Sequence, residues 1–210
     1  MSLFITFEGI EGSGKTTHLR QLAAHLRASG HAVVETREPG GTPGGAAVRR
    51  ILLGAEAVPL TAFAELCLYC ADRAQHVDEV IRPALAAGRI VLSDRFSDST
   101  IAYQGYGRAL DLEAVRALDA RARGGVTPGL TFLLDCPVEE GLARARGRTS
   151  APADRFEREA FAFHERVRAG FRALAAAEPA RFVVLDAAGP LARAQECVVA
   201  EAVRRLGARP

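Results

Sequence analysis

Short apolar runs alternate along the chain with longer segments whose apolar residues recur at helical spacing. The runs predict buried strands, because each is bounded by glycine, proline or charged residues and is too short for a helix. They lie at residues 3–9, 32–38, 89–95, 129–135 and 181–187. Strands of this kind, separated by helices, predict an α/β fold.

Amphipathic segments fill the gaps between these runs. The first is the clearest, since Leu19, Leu22 and Leu26 share one face and Gly30 ends the pattern. Further helices are predicted at about 60–87, 139–148, 155–179 and 191–207, and a turn at 39–45. Helical crossovers between strands produce a parallel sheet covered on both faces. We therefore expect one three-layer domain over residues 1–210, with a five-stranded parallel sheet and ligands at the carboxyl ends of its strands.

Composition narrows the possible partners. The 210 residues are 49% apolar and carry a formal net charge of +2, with no separate basic block, so nothing favours nucleic acid as a partner. No signal-peptide pattern and no bilayer-spanning apolar run is found, which predicts a cytoplasmic protein that does not act at a membrane. Cys67 and Cys70 have the spacing of a metal or redox pair. They fall in a predicted helix without a second ligand pair, so we expect reduced structural thiols.

Residues 9–16 match G-x-x-x-x-G-K-[ST] between a predicted strand and a predicted helix. Glycines let backbone N–H groups surround phosphate oxygens, and the helix N-terminus adds partial positive charge. Lys15, the only lysine in the chain, can reach the outer phosphates, and Thr16 offers a hydroxyl to Mg²⁺. A chance glycine turn is the alternative. The predicted ATP-binding residues are Gly9, Ile10, Glu11, Gly12, Ser13, Gly14, Lys15 and Thr16.

Loops of this kind serve GTPase switches, ATP-driven machines and kinases. A guanine switch needs an Asn-Lys-x-Asp segment, and this sequence contains no asparagine. The Asp-x-x-Gly spacing at 186–189 leaves no room for a later guanine-reading element. Within these 210 residues little remains for the output domain of a regulatory ATPase, so a compact kinase is favoured.

The third predicted strand ends in Asp94 and Arg95. A carboxylate at the carboxyl end of a strand beside the glycine loop can hold Mg²⁺ directly or through water, and an adjacent arginine can act in catalysis on phosphate. The alternatives are a helix N-cap for Asp94 and a surface ion pair for Arg95.

Arg144, Arg146 and Arg148 precede a run of small residues, which predicts a lid at about 143–155. A mobile guanidinium that closes over the phosphates stabilises the charge of the transferred group, and closure excludes water. A solvated basic helix face is the alternative. Which of the three arginines contacts the transferred phosphate stays open.

Several segments together resemble the thymidylate kinase family, whose members pass the γ-phosphate of ATP to dTMP. They are FEGIEGSGKTT, TREPGGTP, YCADRAQH, SDRFSDSTIAYQG and DRFE, in this order over nearly the whole chain. The resemblance is to the bacterial type, with Glu inside the phosphate loop and the catalytic arginines in the lid. It implies a P-loop nucleoside monophosphate kinase-like fold, ATP bound with Mg²⁺, dTMP as the acceptor and a homodimer.

The resemblance also implies roles on the acceptor side. Glu11 would bind the 3′-hydroxyl of the sugar, and Arg49 and Arg95 would hold the acceptor phosphate. Tyr69 and Arg73 lie four residues apart on one predicted helix, and they would stack on thymine and bond its O4.

Three further residues complete the implied base and sugar site. Gln104 would read the amide edge of the base with Ser99 nearby, and Tyr103 would fill the space that a ribose 2′-hydroxyl needs. Two positions depart from the family pattern: tyrosine stands at 69, where phenylalanine is usual, and phenylalanine stands at 96, where Tyr or His is frequent.

The implied reaction is Mg·ATP plus dTMP giving ADP plus dTDP. The alternatives are a kinase for another nucleoside monophosphate, such as dUMP, CMP or AMP, and a nucleotide-binding module without turnover. The role of Glu38 is also open, between a place near the metal and one that orients Arg37.

Overall fold

The computed structural model describes residues 2–54, 59–147, 156 and 159–207. In these parts of the chain, parallel strands form one sheet in the order β2-β3-β1-β4-β5. The strands are β1 (Leu3–Glu8), β2 (Val33–Arg37), β3 (Ile90–Asp94), β4 (Leu130–Asp135) and β5 (Phe182–Asp186). The five predicted strands and the parallel α/β class are confirmed.

Helices separate the strands and pack on the sheet, α1 against β1, β2 and β3, and α8 against β4 and β5. A π-helical segment, Val77–Ile81, joins α3 to α4, and a second one, Ile101–Gly107, continues α5. The helices are α1 (Lys15–Ala28), α2 (Pro43–Leu53), α3 (Ala62–His76), α4 (Arg82–Ala86), α5 (Ser97–Thr100), α6 (Leu112–Arg123), α7 (Val138–Gly147), α8 (Phe161–Ala177) and α9 (Leu191–Gly207). None of the helices described here has the length and hydropathy of a bilayer-spanning segment.

The central strand β1 lies between β3 and β4 and is buried along its whole length. The Phe7 ring lies 5.3 Å from the Phe132 ring of β4, measured between centroids. Each fully buried side chain of this size contributes roughly 1.5–3 kcal/mol. The loop that follows β1 is therefore attached to a strand that is buried along its whole length.

Helix α2 corrects the predicted turn at 39–45. Thr42 has extended backbone angles and its side chain accepts a hydrogen bond from the Gly45 N–H at 2.9 Å, while Pro43 occupies the first turn. A threonine N-cap followed by proline is a helix start. The second half of the glycine- and proline-rich segment therefore begins a helix.

Other helix bounds also differ from prediction. Helix α6 was not predicted, because only Val115 and Asp119 of it are buried and its apolar stripe is weak; its start is set by the Asp111 cap. The α5 segment was not predicted either. Helix α8 begins at Phe161 rather than at 155, because Phe156 lies in a turn that places its ring in the core.

All four cysteines are free thiols. Cys67 is exposed, whereas Cys70 is buried and burial raises its pKa to about 11. No group of three or more His, Cys, Asp and Glu side chains able to hold a metal ion occurs among the described residues.

Candidate active site

The loop between β1 and α1 has the geometry of an anion-binding concavity. Gly9, Gly12 and Gly14 have φ angles of 137°, 73° and 92°. Residues that carry a Cβ rarely adopt such positive φ angles. A Cβ at Gly12 would lie 1.8 Å from the carbonyl oxygen of Gly141. Helix α1 begins directly after the loop, at Lys15, so its unpaired N–H groups and partial positive charge lie there.

The Lys15 ammonium lies inside this loop and is only 8% exposed. It donates hydrogen bonds to the carbonyls of Gly9 at 3.1 Å and Ile10 at 2.8 Å, and it lies 3.4 Å from Ser13 Oγ. Burial, followed by the positive charge of Arg95, lowers the Lys15 pKa to about 8. Among the residues that the structure describes, the hydrogen bonds of this cation therefore all go to neutral oxygens.

Thr16 and Asp94 meet at the open side of the loop. Thr16 Oγ1 donates to Asp94 Oδ2, and Asp94 ends β3, directly beside Phe7 of β1. A hydroxyl and a carboxylate are the hard oxygen ligands that Mg²⁺ takes in addition to phosphates and water. The pair thus fits the metal role predicted for it.

Arg95 connects the loop to the acceptor side. Its backbone is left-handed, with φ 72°, which turns the chain away from β3. Nη1 donates to the Gly9 carbonyl at 2.9 Å and to Ser99 Oγ at 3.0 Å. Nη2 donates to Glu11 Oε1 at 2.9 Å and to Tyr103 OH at 3.1 Å. The structure therefore brings four other predicted site residues together around the Arg95 guanidinium.

The Glu11 carboxylate is held from two sides. Tyr103 OH donates to Oε1 at 2.6 Å, and the His164 Nδ1 atom lies 3.6 Å from Oε2. Burial acts to raise the Glu11 pKa, but His164, Arg95 and Lys15 outweigh it and hold the pKa well below its usual range. Glu11 is therefore an ionised acceptor at the edge of the loop.

Glu8 supports the same region from below, a role that the sequence did not suggest. It is fully buried, and its two oxygens accept from the Phe96 N–H at 2.8 Å and from Ser99 Oγ at 2.5 Å. Burial and the nearby Asp98 raise the Glu8 pKa to about 8. These two bonds hold the turn that carries Arg95.

Arg73 is 1% exposed and enters a dense ion-pair network. Glu38 Oε2 accepts from its Nε at 3.0 Å and from its Nη2 at 2.7 Å. Nη1 donates to Thr100 Oγ1 at 2.9 Å and to Asp119 Oδ1 at 2.8 Å. The guanidinium plane is therefore fixed by two buried carboxylates.

The Glu38 side chain contacts neither Arg37 nor the Thr16–Asp94 pair in the hydrogen bonds of the described residues. One of its oxygens accepts from Arg73, and the other lies 2.9 Å from His76 Nδ1. Both carboxylate oxygens thus bond side chains of α3. Glu38 orients Arg73 rather than Arg37 or a metal.

One cavity of about 510 Å³ joins these groups, a size suited to small-molecule ligands. Gly9, Ile10 and Ser13, which were also predicted to bind ATP, are not among the residues that line it. The predicted residues in its lining are Glu11, Gly12, Gly14, Lys15, Thr16, Arg49, Tyr69, Arg73, Asp94, Arg95, Ser99, Tyr103 and Gln104.

Of the predicted lid arginines, the two that the structure describes, Arg144 and Arg146, do not line the cavity. Arg144 donates to the Ala187 carbonyl at 2.5 Å and pairs with Glu140 at 3.1 Å, outside the cavity lining. Arg146 is exposed on α7. Arg148 and most of the segment 143–155 lie outside the described residues, so the catalytic role of the three arginines stays a prediction.

The partners of the carboxylates that hold the site could not be identified from the sequence. Glu38 and Asp119 bond Arg73 from sequence distances of 35 and 46 residues, for which no local pattern exists. Glu65 is different, since it lies four residues before Tyr69 and eight before Arg73 on α3. That helical spacing is the signal that would have found it.

Comparison with known proteins agrees with this geometry. The sequence model of the family described as Thymidylate kinase matches residues 7–198. The chain belongs to the thymidylate kinase family. It is 54% identical over 209 residues to a thymidylate kinase of Citrifermentans bemidjiense, covering 98% of this chain and 92% of that protein.

Two further relatives of the family support the assignment. A thymidylate kinase of Solidesulfovibrio magneticus is 56% identical over 191 residues, which is 89% of this chain and 91% of that protein. The crystal structure of thymidylate kinase from Ehrlichia chaffeensis superposes with a TM-score of 0.74 at 36% identity, covering 98% of both chains. Family and fold expected from the resemblance are confirmed.

Proposed function

We propose that the protein transfers the γ-phosphate of ATP to dTMP, giving ADP and dTDP. The observation that carries this proposal is the single cavity that runs from the Lys15 loop to the Tyr69, Arg73 and Gln104 side chains. Membership of the thymidylate kinase family supports both the donor and the acceptor. The phosphate loop would bind ATP, and the far end of the cavity would bind dTMP.

The donor side would work through charge and position. Loop N–H groups and the Lys15 ammonium would bind the β- and γ-phosphates. For Lys15, phosphate oxygens would then take the place of the two carbonyl oxygens that it contacts in the structure. Thr16 and Asp94 would hold Mg²⁺, which neutralises phosphate charge. In our proposal the lid arginines would add positive charge on closing.

The acceptor side would orient the attacking oxygen. Arg95 and Arg49 would hold the dTMP phosphate, Glu11 would accept from the sugar 3′-hydroxyl, and Tyr103 would exclude a 2′-hydroxyl. The contacts of Arg95 with Gly9 and Glu11 support this, since they place the guanidinium between the phosphate loop and the sugar site. A phosphate acceptor is already anionic, so no general base is required.

The base would lie against Tyr69, with Arg73 and Gln104 at its polar edge and Ser99 nearby. Tyr69 is half-buried on α3 and lines the cavity, with its ring 6.4 Å from the Phe156 ring. An aromatic side chain in the lining supports stacking on a base. Phe96 is fully buried, and its ring centroid lies 5.2 Å from Cζ of the Arg73 guanidinium. Its lack of a polar tip therefore fits a packing role.

Activity should depend on pH through Lys15. We expect kcat/KM for ATP to fall as pH rises through about 8, because the free enzyme loses the Lys15 charge there. Since this pKa lies below the usual 10.5, the charged lysine costs folding stability below about pH 8, and this cost fades as pH rises toward 10.5. The test is a kcat/KM profile between roughly pH 6.5 and 9.5 at saturating dTMP. A flat profile over this range would contradict the assignment.

A panel of acceptors tests the proposed reaction. Release of ADP from Mg·ATP should be fastest with dTMP among dTMP, dUMP, CMP and AMP. Fastest turnover with AMP or CMP would refute the base site. Absence of turnover with every acceptor would favour a nucleotide-binding module.

We also propose a homodimer formed through α2 and α3. These helices pack together and expose apolar side chains, with Ile51 46% and Phe63 61% accessible. Phe63→Glu should yield monomers by light scattering, because a charge cannot be buried unpaired in an apolar interface. Val203→Glu on α9, another exposed apolar position, is the matched control and should not change the mass. An unchanged mass for Phe63→Glu would exclude this surface.

Cellular location and domain organisation complete the proposal. A cytoplasmic location is supported by the free thiols and by the use of ATP. A single domain over 1–210 is supported by the packing of the described helices on one sheet, with the lid at about 143–155.

A further inference from the structure

We infer that Glu65 is a positioning residue that turns the Gln104 amide oxygen toward the base, so that the cavity selects pyrimidines with an N–H at ring position 3. The inference rests on the proposed function, since it names what distinguishes the acceptor base. It concerns a buried carboxylate that no catalytic step uses.

The orientation of the amide follows from its partner. Glu65 is 0% exposed, and its Oε1 accepts from Gln104 Nε2 at 2.8 Å. Arg108 donates to both oxygens of the same carboxylate, from Nε at 3.2 Å and from Nη2 at 3.1 Å. A carboxylate paired with a guanidinium only accepts hydrogen bonds, so the NH₂ group of Gln104 must face it. The amide oxygen is then the group that Gln104 offers to the cavity it lines.

Arg73 provides a second fixed group at the same edge. Of its five N–H bonds, the Nε–H, one on Nη2 and both on Nη1 are used by Glu38, Thr100 and Asp119. Among the described residues this leaves one N–H on Nη2 without a partner. Arg73 also lines the cavity. The site therefore presents one donor and one acceptor.

This pair matches one class of pyrimidine. Thymine and uracil carry a carbonyl at position 4 next to an N–H at position 3, so an arginine donor and an amide acceptor satisfy both. Cytosine carries an amino group at position 4 and a lone pair at position 3, so both contacts become repulsive. A site built around fixed hydrogen-bonding groups rejects the mismatched ligand strongly, because its own buried groups lose their partners.

A purely structural role would make Glu65 only an anchor for Arg108. Arg108 has other contacts that persist without the Glu65 charge, an ion pair with Glu159 at 2.6 Å and a position 4.8 Å from the Phe163 ring centroid. Glu65→Gln keeps the side-chain volume, and the new amide can still accept from Arg108. The folded state should therefore persist while the Gln104 amide becomes free to rotate.

The test compares kcat/KM for dTMP and dCMP in wild type and Glu65→Gln. We expect the dTMP value to fall about tenfold and the dCMP value to be unchanged or higher, so that the dTMP/dCMP ratio falls at least tenfold. The KM for ATP should not change. dUMP should follow dTMP, because both bases carry the N–H at position 3.

Controls separate this inference from the function it rests on. Glu201→Gln, a carboxylate-to-amide change in the Arg204 and Arg205 ion pairs of α9, should leave the ratio unchanged. If Glu65→Gln does not fold, Glu65→Gln with Arg108→Met removes the remaining charge and should show the same loss of ratio. Equal losses for dTMP and dCMP, in a protein whose wild type prefers dTMP, would overturn the inference. A wild type that prefers another acceptor would instead refute the proposed function.

Discussion

Replacing Lys15 by alanine should reduce kcat by at least about 10³-fold, the lower range for a cation that acts on the transferred phosphoryl group. Lys15 is the only lysine of the chain, and its ammonium lies within the glycine loop, bonded to the carbonyls of Gly9 and Ile10. Its removal takes away the positive charge that would move onto the phosphates. The measurement is ADP release at saturating Mg·ATP and dTMP.

The fold of Lys15→Ala should remain intact. Burial already disfavours the charged lysine, as its lowered pKa indicates, so its removal should not reduce the free energy of unfolding. Thermal unfolding of the variant should therefore occur at or above the wild-type temperature. Arg204→Ala removes an exposed cation from α9 and should leave turnover unchanged. Turnover near wild type in Lys15→Ala would show that the loop does not bind the transferred phosphate.

Replacing Arg73 by alanine should lower the free energy of unfolding by about 3–5 kcal/mol, the usual cost of breaking a buried ion pair from one side. Glu38 and Asp119 are both 2% exposed at their side chains, and each would lose its ion pair with Arg73. This loss leaves Glu38 beside His76 and Asp119 beside Arg123. Chemical denaturation of the variant and wild type gives the difference. A loss below about 1 kcal/mol would mean that these carboxylates do not depend on Arg73.

The same variant should raise the KM for dTMP far more than the KM for ATP. Stability and substrate binding can be separated by Arg73→Met combined with Glu38→Gln and Asp119→Asn, since this set removes the buried charges together. It should recover most of the stability but not the affinity for dTMP. Equal changes in the two KM values would count against a place for Arg73 at the base.

The elements that could be predicted from the sequence are those defined by local pattern. β1 and the glycine loop combine a buried apolar run, positive-φ glycines and a helix start within a few residues, and the structure agrees with each. Helix α6 could not be predicted, because it buries little beyond Val115 and depends on tertiary contacts with α3. The glycine and proline residues at 39–45 are typical of a turn, and only the Thr42 cap makes Pro43 the start of a helix.

The residues of the candidate site also fall into a predictable group and an unpredictable one. The residues expected to touch ligands could be predicted because each lies in a short sequence motif. Examples are Lys15, Arg95 and Gln104. The carboxylates that orient them were not, since Glu8, Glu38 and Glu65 reach partners 88, 35 and 39 residues away. Such pairs form only when the sheet brings distant segments together. The sequence therefore predicts which groups are expected to contact ligands, but not the carboxylates that orient them.

A single turnover with γ-labelled ATP, dTMP and enzyme in excess of ATP tests the central claim most directly. If one cavity binds both nucleotides and phosphate passes directly between them, the label should appear in dTDP at the rate at which ATP disappears. Label that appears first in inorganic phosphate or on the protein, or no transfer to dTMP, would contradict the account.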